Sequence, residues 1–577
     1  MAGTASDIHV IAPTSAGRPH APLRGAAALL TPSLCDFFFL AVLLWLFMAG
    51  HHGWSSLLAD ADTGWHIRTG QYILQHGHVP QQDLFSFSKS GQPWFAWEWL
   101  SDVAFAVVFS AFGMKGIVLL AGAIIAVFTT LLLQYTVWRG ANGLAAIGVT
   151  LLAAGASTIH FLARPHLFTL VLFVGAVWLL DFDRVRPTRA VWVLPFATVL
   201  WTNLHGGFVI LLVWLGVLLC GAAVSALMSG VTRFWSAPSV RRYAALLLSC
   251  CAATFVNPFG YRLHQHLFSY LGSGWIREVV QEFQAPTFRG ESQLQFEILL
   301  IAAIACAGLA LARREFTSAI AVGLFAHMAL TSARHIPLFA VVATPVLALE
   351  LTRAWERFTA RASRASISGI LHQIASDTTP KLRRAGLLAP AVIAILLFAP
   401  LGIAWPDDFP EELFPVHLVR SNGELLQSGR LFTTDQWGDY LIFHYWPRMR
   451  VFLDGRTDFY GRALGTEYVQ FLNGQPQWRR VLDKYQFTAA LVPPDLPAAA
   501  LLRQDAGWRV VAQDKRAVLF VRSGGQGVPP SSASGVSPVN PLKSPGLSSS
   551  PAGTEHAQKP NEKLPADRSI SQETRPS

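Results

Sequence analysis

The sequence predicts an all-α multi-pass membrane bundle followed by a small C-terminal α/β domain. Of the 577 residues, 52% are hydrophobic and only 14% are charged, whereas soluble proteins carry about 25% charged residues. Long apolar runs fill residues 33–405, and the mixed polarity of a soluble domain appears only at 406–522. This composition excludes a water-soluble enzyme and a chain that is disordered throughout.

About eleven apolar runs are candidates for membrane spans, since about 20 apolar residues cross the hydrocarbon core. The first run starts too late for a secretory signal, so we interpret it as a retained helix. The run 99–113 is short and carries Asp102, so we interpret it as an amphipathic helix at the membrane surface. The eleven runs are 33–50, 115–138, 142–159, 166–182, 190–203, 207–228, 243–257, 294–312, 316–331, 335–352 and 386–405.

The positive charges predict the orientation of the chain. With the N-terminus in the cytoplasm, the inner segments hold 18 Lys and Arg, and the outer segments before residue 406 hold eight. This bias agrees with the positive-inside rule, so the net charge of +10 reflects topology and indicates no nucleic-acid partner. We therefore expect a cytoplasmic segment at 1–32, a first outer loop at 51–114 and an extracytoplasmic domain at 406–522.

The segment 406–522 predicts a small α/β domain. Residues 415–429 are typical of a helix that ends at Gly429, and the run 508–522 is typical of a β-hairpin. Further strand-like runs lie at 430–434, 450–454 and 487–493. From Ser523 the chain is rich in Pro, Ser and Gly, so we predict a disordered tail at 523–577. The five cysteines form no CxxC or Cys/His pattern, and no disulfide framework is indicated.

Unusual polar clusters lie at the outer ends of the predicted spans, where eleven of the 18 histidines also fall. Polar groups at membrane depth usually line a cavity or a pathway, so we predict one composite outward-facing site. The alternative is that each cluster caps a helix or anchors it at the interface. The clusters are DADTGWH (60–66), FAWEWLSD (95–102), HFLARPH (160–166), WTNLHGG (201–207), VNPFGYRLHQH (256–266) and SARHIP (332–337).

Asp60 and Asp62 are the candidates for a catalytic carboxylate. The run WHIRTGQYILQHG (65–77) predicts a short amphipathic helix closed by Gly77, with Asp62 or Thr63 at its N-cap. A carboxylate at the lipid–water boundary can also take a proton from a hydroxyl group. Both roles are compatible with one residue.

Two arginines and one pair of histidines are further candidates. Arg164 and Arg334 suit a lipid phosphate, because the planar guanidinium donates two parallel hydrogen bonds; snorkelling towards headgroups is the alternative. His264 and His266 form an HxH pattern. This is a weak metal signal, because two ligands do not make a site.

The order of these motifs resembles the GT-C class of membrane glycosyltransferases. The loop DADTGWH…EWLSD is similar to the opening loop of a set of bacterial GT-C-like proteins, in which a D-x-W-W-H-type stretch precedes G-x-x-P, D-x-F-S-F and E-W-L. The runs ARPH, NLHGGF, NPFGYR, ARHIPLF and DGRTDFYG also resemble that set. The resemblance covers about residues 33–522 and implies a GT-C-like bundle in a bacterial plasma (inner) membrane.

The resemblance implies transfer of a sugar, with inversion, from a polyprenyl-phosphate donor to an extracytoplasmic glycan, lipid or protein. The family's base is an Asp of the first outer loop, and Asp62 matches that position better than Asp60. Arg164 or Arg334 would stabilise the leaving phosphate, with His335 assisting. The remaining candidates for substrate binding are His66, Glu98, Asp102, His166 and His205.

The chain also departs from the family pattern. The loop has Asp60-Ala61-Asp62 in place of an Asp-Glu pair, Gly64-Trp65 in place of Trp-Trp, and no carboxylate beside Arg164. The donor sugar, the acceptor and a divalent-metal requirement therefore stay open. A transporter or flippase is one alternative, although no internal repeat is visible. The other is a non-catalytic assembly protein that binds through Asp435, Asp439, Asp454, Arg456 and Asp458.

Overall fold

The computed structural model describes residues 29–48, 53–231 and 233–523. Most of the predicted segments 1–32 and 523–577 lies outside the described residues, as do His51 and His52. A helical bundle extends to residue 398. Its helices are α1 Leu34–Met48, α2 Asp62–His76, α3 Trp99–Trp138, α4 Gly143–Ser157, α5 His166–Val185, α6 Leu194–Leu204, α7 Val209–Met228, α8 Pro238–Ala253, α9 Tyr261–Gly272, α10 Gly274–Val279, α11 Glu291–Ala312, α12 Phe316–Thr331, α13 Ile336–Thr359, α14 Ile367–Thr378 and α15 Leu388–Phe398.

The predicted multi-pass helical architecture is confirmed. Three shorter apolar helices, α1, α12 and α15, accompany six described segments that are long and apolar enough to cross a membrane. The predicted spans 190–203 and 243–257 correspond to α6 and α8, which belong to neither group. The number of spans therefore stays a prediction. The six long segments are Trp99–Trp138, Gly143–His160, His166–Val185, Gly206–Met228, Ser292–Ala312 and Ala333–Thr359.

Helix α3 contains a break between the predicted surface helix and the following span. Gly113 has φ 62° and ψ −155°, a conformation that residues with a Cβ atom rarely adopt. The first arm of α3, which is the part before Gly113, packs tightly against α2. The packing is so close that a Cβ atom at Gly70 would collide with the backbone oxygen of Asp102. This close approach holds the start of the first loop against the bundle.

Helix α13 forms the centre of the bundle, where 89% of its most apolar stretch is buried. It packs against α4, α11 and α12. Fully buried phenylalanines fill the surrounding interior, among them Phe128, Phe173, Phe296, Phe325 and Phe339. This packing sets the relative positions of the helix ends that carry the polar clusters.

Residues 406–523 contain a four-stranded sheet with the order β1-β2-β4-β3. The first pair is parallel and the other two pairs are antiparallel, which confirms the predicted hairpin at 508–522. The strands are β1 Leu431–Thr433, β2 Ala489–Val492, β3 Trp508–Gln513 and β4 Val518–Arg522. The helices are α16 Val416–Ser421, α17 Gly423–Gln427, α18 Asp435–Tyr445, α19 Thr457–Leu472, α20 Trp478–Tyr485 and α21 Pro497–Gln504.

Two local predictions for this part are wrong. Residues 450–454 join no strand of the sheet, because Val451 instead pairs with the first loop: Phe87 N–H donates to Val451 O and Val451 N–H donates to Phe85 O, each at 2.9 Å. Residues 415–429 form two short helices, since the chain leaves helical geometry at Asn422. The pairing of Val451 connects residues 406–523, the C-terminal part of the chain, to the loop that carries Asp60 and Asp62.

Candidate active site

A cavity of about 1180 Å³ lies between the bundle, the first loop and the C-terminal part. His66 is buried behind its wall, next to Asp102 and Glu98. Five of the six polar clusters contribute lining residues, and the cluster 256–266 contributes none. Nine of the ten predicted catalytic and substrate-binding residues line the cavity: Asp60, Asp62, Glu98, Asp102, Arg164, His166, His205, Arg334 and His335.

Asp60 and Asp62 have different positions and contacts at the start of α2. The N-cap residue is Ala61, and Asp60 Oδ1 accepts the Asp62 N–H at 2.9 Å. The prediction of Asp62 or Thr63 at the N-cap is therefore wrong. Thr63 instead donates to Ala163 O at 2.7 Å. Asp62 occupies the first helical position, where the helix dipole favours a negative charge.

Arg164 joins the two carboxylates of the first loop. Its Nη1 lies 2.7 Å from Asp60 Oδ2, and its Nη2 lies 2.7 Å from Asp62 Oδ2. The neighbouring Ala163 N–H donates to Leu57 O at 2.8 Å, which fixes this segment against the loop. Both outer arms of the guanidinium are thus occupied by carboxylates.

The carboxyl group of Asp62 titrates close to neutral pH. Burial raises its pKa to about 7, while Arg164 lowers the pKa and Asp60 raises it. Asp439 of α18 faces Asp62, and burial together with the charge of Asp62 raises the pKa of Asp439 well above its usual range. Two close carboxyl groups cannot both ionise easily, so the pair holds one proton near neutral pH. A pKa near the working pH is what a general base requires.

Glu98 lies between two histidines. Its carboxyl oxygens are 3.6 Å from His66 Nε2 and 3.4 Å from His205 Nε2, and His66 Nδ1 lies 2.6 Å from Asp102 Oδ1. Gly207 N–H donates to His205 Nδ1 at 2.9 Å, so the His205 proton is on Nε2 and faces Glu98. Burial raises the pKa of Glu98 to about 8 and lowers the pKa of His66 well below its usual range. At neutral pH these groups form a largely uncharged array of donors and acceptors.

Arg334 lies in the turn before α13 and has different surroundings from Arg164. Its guanidinium stacks 4.3 Å from the ring centroid of Phe283, beside Glu282 and Tyr270. Among the described residues, no carboxylate lies within the 4.0 Å ion-pair distance of its side chain. Arg334 therefore has no carboxylate in direct contact among these residues, while the charge of Glu282 and the hydroxyl group of Tyr270 act on it from close by.

The remaining predicted histidines are held by local contacts. His166 Nε2 donates to His160 O at 2.6 Å, and His335 Nδ1 donates to Met328 O at 3.1 Å. In a neutral ring the other nitrogen is then an acceptor.

The two histidines of the HxH pattern face different partners. His264 Nε2 lies 2.7 Å from Thr254 Oγ1, and His266 Nε2 lies 2.9 Å from Asp458 Oδ2. In the described part of the chain, no group of three or more His, Cys, Asp or Glu side chains could hold a metal ion.

Sequence reasoning missed several residues of the cavity. Glu282 and Tyr270 line it, although they lie in none of the polar clusters. Gly455 and Asp458 also line it, and Asp439 contacts Asp62. The sequence places Asp439 and Asp458 only in a separate predicted binding surface, which does not include Gly455. The run DGRTDFYG (454–461), with three charged residues in five positions, was the available signal.

No family model matches the chain, and no curated protein matches it significantly. Among solved structures, the Archaeoglobus fulgidus oligosaccharyltransferase in the apo form is 13% identical, with a TM-score of 0.46 and coverage of 79% of this chain and 69% of that one. AglB from the same organism, in complex with an inhibitory peptide and a dolichol-phosphate, is 13% identical, with a TM-score of 0.48 and coverage of 80% and 69%. ArnT from Cupriavidus metallidurans, bound to undecaprenyl phosphate, is 14% identical, with a TM-score of 0.36 and coverage of 85% and 99%. At these values the likeness assigns no role to any residue of this chain.

Proposed function

We propose that this chain is an integral membrane glycosyltransferase that moves a sugar, with inversion, from a polyprenyl-phosphate donor to an extracytoplasmic acceptor. The proposal is carried by one observation: a buried carboxyl group with a pKa of about 7, Asp62, and an arginine with no carboxylate in direct contact, Arg334, line the same cavity. A base and a phosphate-binding cation are the groups that such a displacement needs. The ordered motifs that resemble the GT-C class agree with this reaction.

In the proposed reaction, Asp62 takes the proton of the acceptor hydroxyl as that oxygen attacks the anomeric carbon. The bond from this carbon to the phosphate oxygen breaks, and polyprenyl phosphate leaves with the bonding electrons. Arg334 stabilises the charge on the phosphate through its planar fork of donors. Arg164 acts on the base, because it orients Asp62 and lowers its pKa.

The other walls of the cavity suit the remaining parts of the substrates. Glu98 and His205 offer uncharged donors and acceptors, which suit sugar hydroxyl groups, and His66 contacts Glu98 from behind the wall. An apolar wall suits the isoprenoid carbons next to the phosphate; it includes Leu162, Leu170, Val209, Ile210 and Val213. With the N-terminus in the cytoplasm, as the positive charges predict, the cavity faces outward from the plasma membrane.

Release of polyprenyl phosphate tests this function. The protein in lipid nanodiscs receives a panel of polyprenyl-phosphate sugars, with a membrane extract as the source of acceptor. We expect release by the wild type and a loss of about 100-fold or more in Asp62→Asn, which lacks the base. Asp514→Asn is the matched control, because this turn carboxylate only accepts backbone N–H bonds that an amide oxygen also accepts.

Two other outcomes would revise the proposal. Release by Asp62→Asn at the wild-type rate would keep the enzyme and remove Asp62 as its base. Neither release nor donor binding by the wild type would contradict the glycosyltransferase and favour a transporter or an assembly protein.

A further inference from the structure

We propose that Asp439, in the C-terminal part of the chain, is a positioning residue for Asp62: it holds a proton and donates it in a hydrogen bond to Asp62 Oδ1. The role of Asp62 as a base rests on the proposed function. The hydrogen bond between the two carboxyl groups does not depend on that function.

The two carboxyl groups converge on Gly455. Gly455 N–H donates to both oxygens of Asp439, at 3.1 and 3.0 Å. A Cβ atom at Gly455 would lie 2.9 Å from Asp439 Oδ2 and would collide with Asp62 Oδ1. The same point is therefore in contact distance of both groups, and only glycine leaves room for them to meet.

Asp62 Oδ1 lacks a donor while both groups are ionised. Arg164 binds Oδ2, but among the described residues no N–H or O–H lies in standard hydrogen-bond geometry around the buried Oδ1. A buried acceptor without a donor is costly. A protonated Asp439 supplies that donor, since its Oδ2 and the Asp62 Oδ1 both approach the same point beside Gly455. The Trp65 indole faces the same carboxyl group.

The surrounding charges decide which member of the pair is protonated. Asp62 has the cation Arg164 at 2.7 Å, with Asp60 beside it and Glu98 farther away. The charges that act most strongly on Asp439 are all negative, namely those of Asp62, Asp454 and Asp60, and they outweigh the single Gly455 N–H that favours its ionised form. The proton therefore stays on Asp439, and Asp62 is the member that ionises first.

This arrangement predicts a shift of the pH–rate profile for one substitution of Asp439 and no shift for another. Asp439→Asn keeps a donor of similar shape, so the acid limb of the pH–rate profile should stay where it is in the wild type. Asp439→Leu keeps the branched shape but removes the donor, so the pKa of Asp62 should rise. The acid limb should then move to higher pH by about one unit, a tenfold loss of rate on that limb. A merely structural role would lower the rate by the same factor at every pH.

An infrared titration separates this inference from the proposed function. Protein in nanodiscs is titrated while the carbonyl band of protonated carboxyl groups is followed, and Asp62→Asn identifies the contribution of Asp62. A higher midpoint for Asp62 in Asp439→Leu, with an unchanged midpoint in Asp439→Asn, supports the pair even if no donor releases polyprenyl phosphate. An unchanged midpoint in Asp439→Leu, or equal shifts in both variants, overturns it. Asp439→Ala replaces the leucine variant if that variant does not fold.

Discussion

At the scale of single residues, the two arginines predicted for phosphate binding differ in their neighbours. Arg164 contacts Asp60 and Asp62 at 2.7 Å each, whereas Arg334 stacks on Phe283. A guanidinium bound to two carboxylates serves to orient them. One with no carboxylate in direct contact can still donate two parallel bonds to a phosphate.

Replacing each arginine by lysine should therefore have a different result. Arg334→Lys keeps the charge but loses the planar fork, so the donor KM should rise about tenfold while the pH profile stays in place. Arg164→Lys cannot bridge both carboxylates equally, so the pKa of Asp62 should rise and the acid limb should move to higher pH, with less effect on KM. Donor titrations and pH profiles of both variants measure this. Identical changes in the two variants would contradict the division of roles.

At the scale of the elements, α2 fixes the position of Asp62 relative to the bundle. It begins at Asp62 and ends at the left-handed Gly77, whose N–H donates to Ile73 O. Along its length it lies against the first arm of α3, and Gly70 makes this approach feasible. The orientation of the carboxyl group thus depends on a helix–helix contact two turns away.

Gly70→Ala should separate α2 from α3. The new Cβ atom would collide with the backbone oxygen of Asp102 and lie 2.7 Å from Ala106 Cβ, so we expect a loss of about 1–3 kcal/mol in the free energy of unfolding. Gly148→Ala in α4 is the control, because a Cβ atom there meets nothing within 4 Å. Thermal unfolding in nanodiscs measures both variants, and equal stability would contradict this account of the contact.

At the scale of the whole molecule, a buried ion cluster connects the first loop to the C-terminal part. Arg456 Nη2 lies 2.8 Å from Asp83 Oδ1 and 2.6 Å from Asp454 Oδ2. Arg456 is 3% exposed, and its guanidinium lies 4.4 Å from the ring centroid of Trp94. The cluster holds residues 454–458 in place beside the cavity, so the first loop and the C-terminal part both contribute to one site.

Removal of one member should loosen this connection. Asp83→Ala leaves Arg456 with one carboxylate fewer in a buried position, which should cost about 3–5 kcal/mol of unfolding free energy. Residues 406–523 should also become more sensitive to protease. Asp505→Ala is the comparison, since its partner Arg479 is 68% exposed and surface pairs contribute little. Unfolding and limited proteolysis of both variants provide the measurement; equal effects would remove the special role of the cluster.

The parts that were predicted correctly depend on neighbours in the sequence. The helix 65–77 ends at Gly77 as expected, because a left-handed glycine is a local requirement of a helix end. The hairpin 508–522 follows from two short runs and a turn. The prediction for 450–454 failed for the opposite reason: its backbone partners, Phe85 and Phe87, are distant in the sequence.

Composition, the lengths of the apolar runs and the polar clusters at their ends were enough to predict a membrane bundle, a C-terminal α/β part and nine of the residues that line one cavity. Each of these follows from local hydrophobicity and local backbone geometry. The partners of those residues depend on contacts between distant segments: Gln436 accepts the Ala61 N–H at 3.0 Å across 375 positions, and Asp439 reaches Asp62 only because Gly455 leaves space between them. Only the packed chain brings these groups together, because the burial and charge that set the pKa of Asp62 come from segments that are far apart in the sequence.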